Sequence, residues 1–557
     1  MNAASYVAMG LPGGGIAQGS MFIVKGTAFG NCGTVVASAF PLQTAMGATS
    51  IRVTVAGTTV NTRMIYVVAC RTNGPDQLAA ILPSNTPIGT GTLNVIYQGR
   101  TSASVPIRVV ANSFGMFTRN QNGSGQVIVQ NFVSTTDTPT NGLLESARVG
   151  QTEILWGTGL GAVNPTSEVD GPVPGDLPLD VEVYVGGKKA NVTYRGRSGC
   201  CAGIDQIVFT IPAGLEGCYV SILVRLNGVT SHAGTMSVAT NGKVCAEPSS
   251  LTSADITKIQ KTGAINISSI LLNRIKVDLN IPGQGAIKGD LDNGEGQFRR
   301  YGSSAEVMAS LAGSIAGLTG SPSPGSCVVL GFPIGPDDDA FAAAVPDVRE
   351  PTGTKLDAGA ILRLNGPTGN KQLPRQTGQD GQIDGYYLSG ENFLGGGLPE
   401  LGIAVLPLYL NPGTFTVDNG AGSAQVGAFT SSLVIPPNVT TWTSHIPGSS
   451  IPRTQDLTFT WSGGNAGELV VITGASAAKT IFAGARFICV ERAQAGTFTV
   501  PGWVVSALPP SGIIGGVAAG FLTFGTTLAQ PSRFTATGLD LGYFNWANLH
   551  LKNVVFQ

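Results

Sequence analysis

The sequence predicts an all-β chain built from tandem β-sandwiches, with minor helix confined to residues 250–320. Three observations carry this. Glycine supplies 78 of the 557 residues and charged residues only 12%, about half the usual charged share of a soluble protein. Apolar residues alternate with polar ones along many short runs, the period of a half-buried strand. And a pattern that starts at Ile23 recurs, in the same order, from Ile154. The same composition excludes other classes. Hydrophobic residues at 42% are too many for a disordered chain, and no heptads mark a coiled coil. A net charge of −1 argues against nucleic acid as a partner, because phosphate neutralisation needs clustered Lys and Arg.

The repeat sets the organisation of the first half. Ile23 opens I-V-K-G-T-A-F-G and Ile154 opens I-L-W-G-T-G-L-G. Ile51 opens I-R-V-T-V-A-G and Val181 opens V-E-V-Y-V-G-G; Asp76-Gln77 and Asp205-Gln206 each lead through an apolar strand to a proline. Three matches in one order at one period define two copies of a β domain, 1–111 and 112–245. Val181, Val183 and Val185 fall on one face of a strand and Glu182 and Tyr184 on the other. Gly186-Gly187 then supplies a hairpin turn with positive φ. The G-T-x-x-G element reads as a turn after a strand. A phosphate cradle would need a helix to follow, and Val163-Asn164-Pro165 does not start one.

The rest divides into 246–440, β-rich with short helices, and 441–557, a C-terminal β-sandwich, unless 246–557 forms one composite unit. Residues 251–275 and 303–318 carry the helical signal. Strands are expected in A-I-L-R-L-N-G from Ala360, T-F-T-V from Thr414, S-S-L-V-I from Ser431, D-L-T-F-T-W from Asp456, T-F-T-V from Thr497, and the terminal run from Leu549 to Gln557. The charge-free stretch Trp503–Ser532 is broken by Pro509, Pro510 and glycines. It reads as strands and turns, so no membrane span is expected. No basic and apolar leader follows Met1, so the numbering is expected to be that of a mature chain.

N-A-A-S-Y at Asn2, the turn G-T-G-L-G-A-V-N-P ending at Pro165, the V-x-V-x-V-G-G hairpin and C-C-A-G-I-D-Q-I-V-F-T-I-P-A-G from Cys200 to Gly214 together resemble one family. It is the Ig-like repeat domain of large secreted proteins abundant in acidobacterial genomes. The resemblance is good over 140–245 and looser over 1–111. It implies extracellular Ig-like sandwiches and carries no catalytic residues.

Eight cysteines, Cys32, Cys70, Cys200, Cys201, Cys218, Cys245, Cys327 and Cys489, are even in number and lack C-x-x-C spacing. Disulfides in an oxidising compartment fit better than zinc. Cys32–Cys70 is the natural pair of the first copy. Neighbouring Cys200 and Cys201 are each expected to seek one of Cys218 and Cys245, in an order left open. Cys327 and Cys489 remain for each other.

Candidate chemistry is sparse. His232, His445 and His550 are the only histidines, no G-x-S-x-G elbow accompanies them, and they read as exposed loop residues. Glu391, Glu400, Asp290 and Asp292 lie in glycine-rich sequence without a glycosidase signature. Asp290-Leu-Asp292-Asn293-Gly294 has the alternate oxygen ligands and glycine of a calcium turn; this makes Asp290, Asp292 and Asn293 the metal candidates and calcium the candidate cofactor. Asp337-Asp338-Asp339 and Asp380 with Asp384 are further acidic clusters. Of the aromatics Trp442, Trp461, Trp503, Tyr543, Phe544 and Trp546, the pair Tyr543 and Trp546 is the surface candidate for stacking on sugars. Asn-x-Ser/Thr sequons stand at Asn122, Asn191, Asn266 and Asn438, of consequence only in a glycosylating host.

The leading expectation is a secreted structural or adhesive cell-surface protein, not an enzyme, self-associating into a filament or layer by β-strand exchange. Met1–Gly19 and Leu549–Gln557 are the candidate donor strands. The alternatives are a carbohydrate-binding protein on a surface glycan and an extracellular hydrolase with its acids in 246–440.

Overall fold

The computed structural model describes residues 1–557 except 73, 120, 122, 124, 163–170, 172–173, 241–242, 247–251, 282, 284, 303–321, 335–352, 378–382, 390–394, 400–402 and 515–516. The chain is all-β: among the described residues 56% are in strands and 4% in helices. The predicted helix at 303–318 and the acids Asp337, Asp338, Asp339, Asp380, Glu391 and Glu400 lie outside the described residues.

The first sandwich sets a sheet containing strands Thr49–Val55, Gly89–Tyr97 and Val105–Val110 over a second sheet. That second sheet runs Met21–Gly26, Asp76–Ile81, Arg63–Ala69, Gly33–Val36 in spatial order. Alternation builds the core: Ile51, Val53 and Val55 point inward onto Phe22, Leu78 and Val67. The second sandwich repeats the plan. Thr152–Thr158 pairs with Asp205–Thr210 as Met21–Gly26 pairs with Asp76–Ile81. Val181–Val185 turns through Gly186 and Gly187, at φ 53° and 75°, as a two-residue hairpin requires.

From Ser253 the plan changes. A helix, Ser253–Thr262, is followed at once by the strand Ile265–Ile281. The helical reading of 251–275 is therefore corrected: the helix ends at Gly263, φ 66°, and the residues beyond it have period two. Ile265–Ile281 pairs with Gly285–Tyr301 along its whole length, Ile265 opposite Tyr301 and Ile281 opposite Gly285. Each strand has 17 residues. At roughly 3.3 Å of rise per residue, the hairpin is about 55 Å long. Its other edge pairs in parallel with Leu539–Phe556, from Ile267–Leu541 to Asp278–Lys552. One sheet thus joins the first residues of 246–440 to the last residues of 441–557.

Two cores lie on this long sheet. The middle lobe gathers Ile270, Leu272, Phe298, Leu362, Phe415, Leu433, Phe544 and Trp546. The C-terminal lobe gathers Trp442, Phe459, Trp461, Ile472, Phe487, Phe524, Val554 and Phe556. In Leu539–Phe556 the even-numbered side chains serve both, Phe544 and Trp546 in one and Val554 and Phe556 in the other.

The modules are welded to one another. Ala202 of the second sandwich packs on Leu42 and Ile81 of the first, and Asn2 donates to the Ser113 and Thr158 carbonyls. Tyr184 stacks on Trp503 at 5.3 Å. Leu143, Cys218, Tyr219 and Cys245 share a core with Ile256, Ile265, Leu541 and Tyr543. Leu11, near the N-terminus, is buried in the C-terminal lobe.

These contacts seat both candidate donor strands within their own chain. The segment Met1–Gly19 is anchored in its own chain by Asn2 opposite Phe22, by Leu11, and by Ile16–Ala17 against Val109–Val110. The residues from Leu549 lie inside a strand with neighbours on both sides, Ile265–Ile281 and Gly520–Leu528. Among the described residues no helix is long and apolar enough to cross a membrane.

Candidate functional site

The repeat motif has a physical purpose. Asp76 accepts the backbone N–H groups of Phe29 at 3.0 Å and Cys70 at 2.7 Å. Its counterpart Asp205 accepts those of Gly159 and Leu160, both at 2.8 Å. Phe29 and Leu160 hold the same place in G-T-x-x-G. The aspartate of each D-Q therefore caps the glycine turn on the neighbouring strand, through Phe29 in the first copy and through Gly159 and Leu160 in the second, because a buried donor without an acceptor is costly. In the second copy Asp205 is also ion-paired with Arg197, both buried. Arg197 donates onward to the Gly161 carbonyl and lies against Gly19 of the first sandwich.

The four disulfides are Cys32–Cys70, Cys200–Cys201, Cys218–Cys245 and Cys327–Cys489. The expectation that Cys200 and Cys201 seek Cys218 and Cys245 is corrected. Cys200 and Cys201 occupy the turn between Asn191–Arg197 and Asp205–Thr210, beside the first sandwich. Cys218 faces the helical junction with Leu143 and Ile256, and there it meets Cys245, Cα–Cα 5.1 Å.

The other sequence-selected residues converge on a polar waist between the two lobes. Three rows cross the long sheet in register: Asp292–Arg274–Asn548, Asp290–Lys276–His550 and Lys288–Asp278–Lys552. Arg274 forks onto Asp292 at 2.7 and 2.8 Å. Asp292 is fully buried and also accepts the N–H groups of Tyr409 and Leu410, each at 2.7 Å. Lys288 pairs with Asp278. Lys552 lies 3.9 Å over the Trp442 ring and donates to the Ser444 and His445 carbonyls. It thereby holds the connection between lobes down on the sheet.

The calcium reading is corrected on this geometry. Asp290, Asp292 and Asn293 lie in the strand Gly285–Tyr301, not in a turn. The lone pairs of Asp292 are taken by a guanidinium and two amides, and Asn293 accepts from Ser389. The carbohydrate reading is corrected too. Tyr543 is 4% exposed and Trp546 2%; both faces of their strand are covered, so neither ring can meet a sugar. Trp442 and Trp461 are core residues as well.

The histidines are not exposed loop residues. His232 and His550 are buried and His445 half-buried. His445 packs on Phe459, ring centroids 4.6 Å apart, and His550 approaches Asn548 at 3.3 Å. Burial first, then the nearby ammonium groups (Lys552 for His445, Lys276 and Lys552 for His550), hold both imidazoles down to about 4. They are neutral in the fold and readily protonated once unfolded. Their contribution to stability is therefore full above about pH 6.5 and is lost as the pH falls from there towards 4. In His550→Gln that acid loss should shrink by up to about 3 kcal/mol, read from denaturant titrations at pH 7 and pH 4.5. An unchanged difference would contradict it.

Glu153 is the residue that sequence reasoning missed. It stands in the core of the second sandwich, 0% exposed, opposite Asn131 and Phe209 in register. Neither carboxyl oxygen has a hydrogen-bond partner. Burial pushes the carboxyl up to about 9, so it is a neutral acid at pH 7. The fold holds a proton that the unfolded chain releases, so stability falls as the pH rises from about 4.5 to 9. Glu153→Gln should remove that slope, gaining about 4–5 kcal/mol at pH 8 relative to wild type and almost nothing at pH 4.5. Parallel pH profiles of the two proteins would refute this. The signal was visible: Glu153 occupies an inward position of the alternation that Leu155 continues.

No family model matches the chain, and no curated protein matches it. Among solved structures, it is similar to SGBP-B of the Bacteroides ovatus mixed-linkage glucan utilization locus, in complex with a mixed-linkage heptasaccharide. There the identity is 10%, the TM-score 0.19, and the match covers 41% of this chain and 44% of that one. The chain thus matches less than half the length of that protein. It is similar also to domains 4–9 of the surface layer protein SbsC, at 9% identity and TM-score 0.18, over 98% of this chain and 65% of that one. Titin Ig domains A164-A165 match at 13% identity and TM-score 0.12, over 41% and 92%. Scores of this size carry no argument about this chain.

Proposed function

We propose that the chain is a structural protein of the cell surface, a rigid block that self-associates outside the cell. The observation that carries this reading is the disulfide set. All eight cysteines are bonded, and the bonds are distributed over both sandwiches, the junction at Cys245 and the C-terminal lobe. Such a set persists in oxidising compartments. The welded junctions support a load-bearing role, since Leu11, Arg197, Tyr184 and Cys245 each tie one module to the next. At the waist Arg274 with Asp292, Lys288 with Asp278, and Lys552 with two carbonyls are spent on each other and on backbone, as in a structural joint. The resemblance of the repeats to secreted Ig-like domains points the same way.

The test is to treat intact producing cells with a membrane-impermeant amine reagent and map the peptides without reduction. Labelling at exposed lysines such as Lys188 and Lys189, with four intact disulfides, is expected. Unlabelled lysines in intact cells, or free thiols, would overturn the reading.

A further inference from the structure

Three of the four disulfides span sequence separations of 38, 27 and 162 residues and restrict the unfolded chain accordingly. Cys200–Cys201 joins neighbours in sequence. It closes the smallest ring a disulfide can, so it removes almost no freedom from the unfolded chain. The peptide between two such residues holds their Cα atoms about 3.8 Å apart, short of the roughly 4.4–6.8 Å of an ordinary disulfide. A bond forced out of that range is the more easily reduced, and exposure adds to this. Cys200 is exposed and Cys201 half-buried, whereas Cys218, Cys245, Cys327 and Cys489 are all buried.

The bond also stands where its loss would be felt. In the first copy the corresponding turn, after Arg63–Ala69, is exposed at Cys70 and is bonded across to Cys32. In the second copy the turn after Asn191–Arg197 is bonded to itself and wedged against the first sandwich. Ala202 packs on Leu42 and Ile81. Gly203, at φ 71°, lies so close that a Cβ there would come within 2.9 Å of Ile81. The Thr158 hydroxyl donates to the Gly203 carbonyl at 2.6 Å and accepts the Met21 N–H at 2.9 Å. The position of the turn is thereby passed directly to a strand of the first sandwich. From within, the turn is closed by Ser198, whose hydroxyl donates to the Cys201 carbonyl at 3.1 Å and accepts the Cys201 N–H at 3.2 Å.

We propose that Cys200–Cys201 is a reducible latch on the seam between the two sandwiches, opened by a dithiol reductant. One thiolate of the dithiol attacks Sγ of the exposed Cys200. The bond to Cys201 breaks, and Cys201 leaves as a thiolate that takes up a proton. The second thiol of the reductant then attacks the reductant sulfur of the mixed disulfide and releases Cys200 as a thiol. Two electrons and two protons pass to the chain, and the dithiol ends as its disulfide. With the ring open, the backbone at 199–204 regains freedom, and Ala202 and Gly203 are no longer pressed onto Ile81. The two sandwiches have separate cores and keep Cys32–Cys70 and Cys218–Cys245, so both stay folded while the joint between them softens. The inference rests on the disulfide set and the seam, not on self-association.

The test takes the purified, fully oxidised chain through a series of buffers of reduced and oxidised dithiothreitol, alkylates the free thiols and maps them by mass spectrometry. Cys200 and Cys201 should be modified together, before any other pair. Under those conditions the Met21 amide should exchange on the order of tenfold faster, the worth of about one residue's backbone freedom. Amides of Thr49–Val55, in the first core, should keep their rate. The double variant Cys200→Ser, Cys201→Ser should show the fast Met21 exchange with no dithiol present. Reduction of Cys32–Cys70 ahead of Cys200–Cys201 would overturn the latch. So would reduction at Cys200–Cys201 that leaves the Met21 amide as slow as before, or a folded double variant with the slow exchange of the oxidised chain. Unfolding of a sandwich when this bond alone is reduced would make it a structural bond and overturn the latch as well.

Discussion

Asp205→Ala should cost the second sandwich about 4 kcal/mol. Three groups lose their acceptor at once. Arg197 stays buried with its charge unpaired, and the N–H groups of Gly159 and Leu160 lose theirs. Breaking one side of a buried ion pair costs about 3–5 kcal/mol, chiefly through the charge left behind. The first sandwich contains its own control. Asp76 accepts one N–H group of the equivalent turn, from Phe29, and a second from Cys70 without a buried arginine beside it, so Asp76→Ala should cost about 2 kcal/mol, the range of hydrogen bonds to a charged acceptor. Denaturant titrations that resolve the two sandwiches give both numbers. Equal losses would mean that the ion pair contributes nothing beyond the cap. Arg197 also touches Gly19, so Asp205→Ala should loosen the seam between the sandwiches, seen as faster amide exchange at residues 17–20.

Replacing Cys327 and Cys489 together by serine should cost about 5 kcal/mol. The bond closes a loop of 162 residues, and on the chain-entropy model a loop of that size is worth about 5 kcal/mol. It joins neighbouring strands, Ser326–Pro333 and Ala483–Arg492, at a point where Cys327 and Cys489 face each other in register. The double variant should therefore keep its secondary structure while its C-terminal lobe unfolds at lower denaturant. A midpoint unchanged from wild type would show that the strand pairing alone holds Ser326–Pro333 in place. Loss of the native circular dichroism would show that the bond is needed for folding itself.

Elements whose partners are near in sequence, or repeated, were legible. The period-two runs became strands, and Gly186-Gly187 became the hairpin turn, because side-chain alternation and positive φ are local demands. Distant partners were not legible. Ile265–Ile281 reads ambiguously by itself; one neighbour, Gly285–Tyr301, is local, but its parallel neighbour Leu539–Phe556 stands at the far end of the chain. The same distance hid the fate of Tyr543 and Trp546. An aromatic on a strand looks alike whether its face is bare or covered, and here Leu143, Cys245 and Ile256 cover one side and the middle lobe the other. The D-x-D at Asp290 and Asp292 looked like a loop ligand set because its answer, Arg274, sits across a long hairpin. Once Ile281 faces Gly285 the register places Arg274 beside Asp292, and the carboxylate becomes a joint between lobes.

Whether the chain is a self-associating building block of the cell surface is tested most directly by negative-stain electron microscopy of the untagged, fully oxidised chain over a concentration series. Regular filaments or sheets whose repeat matches one molecule are expected. Dispersed single particles at every concentration would contradict self-association.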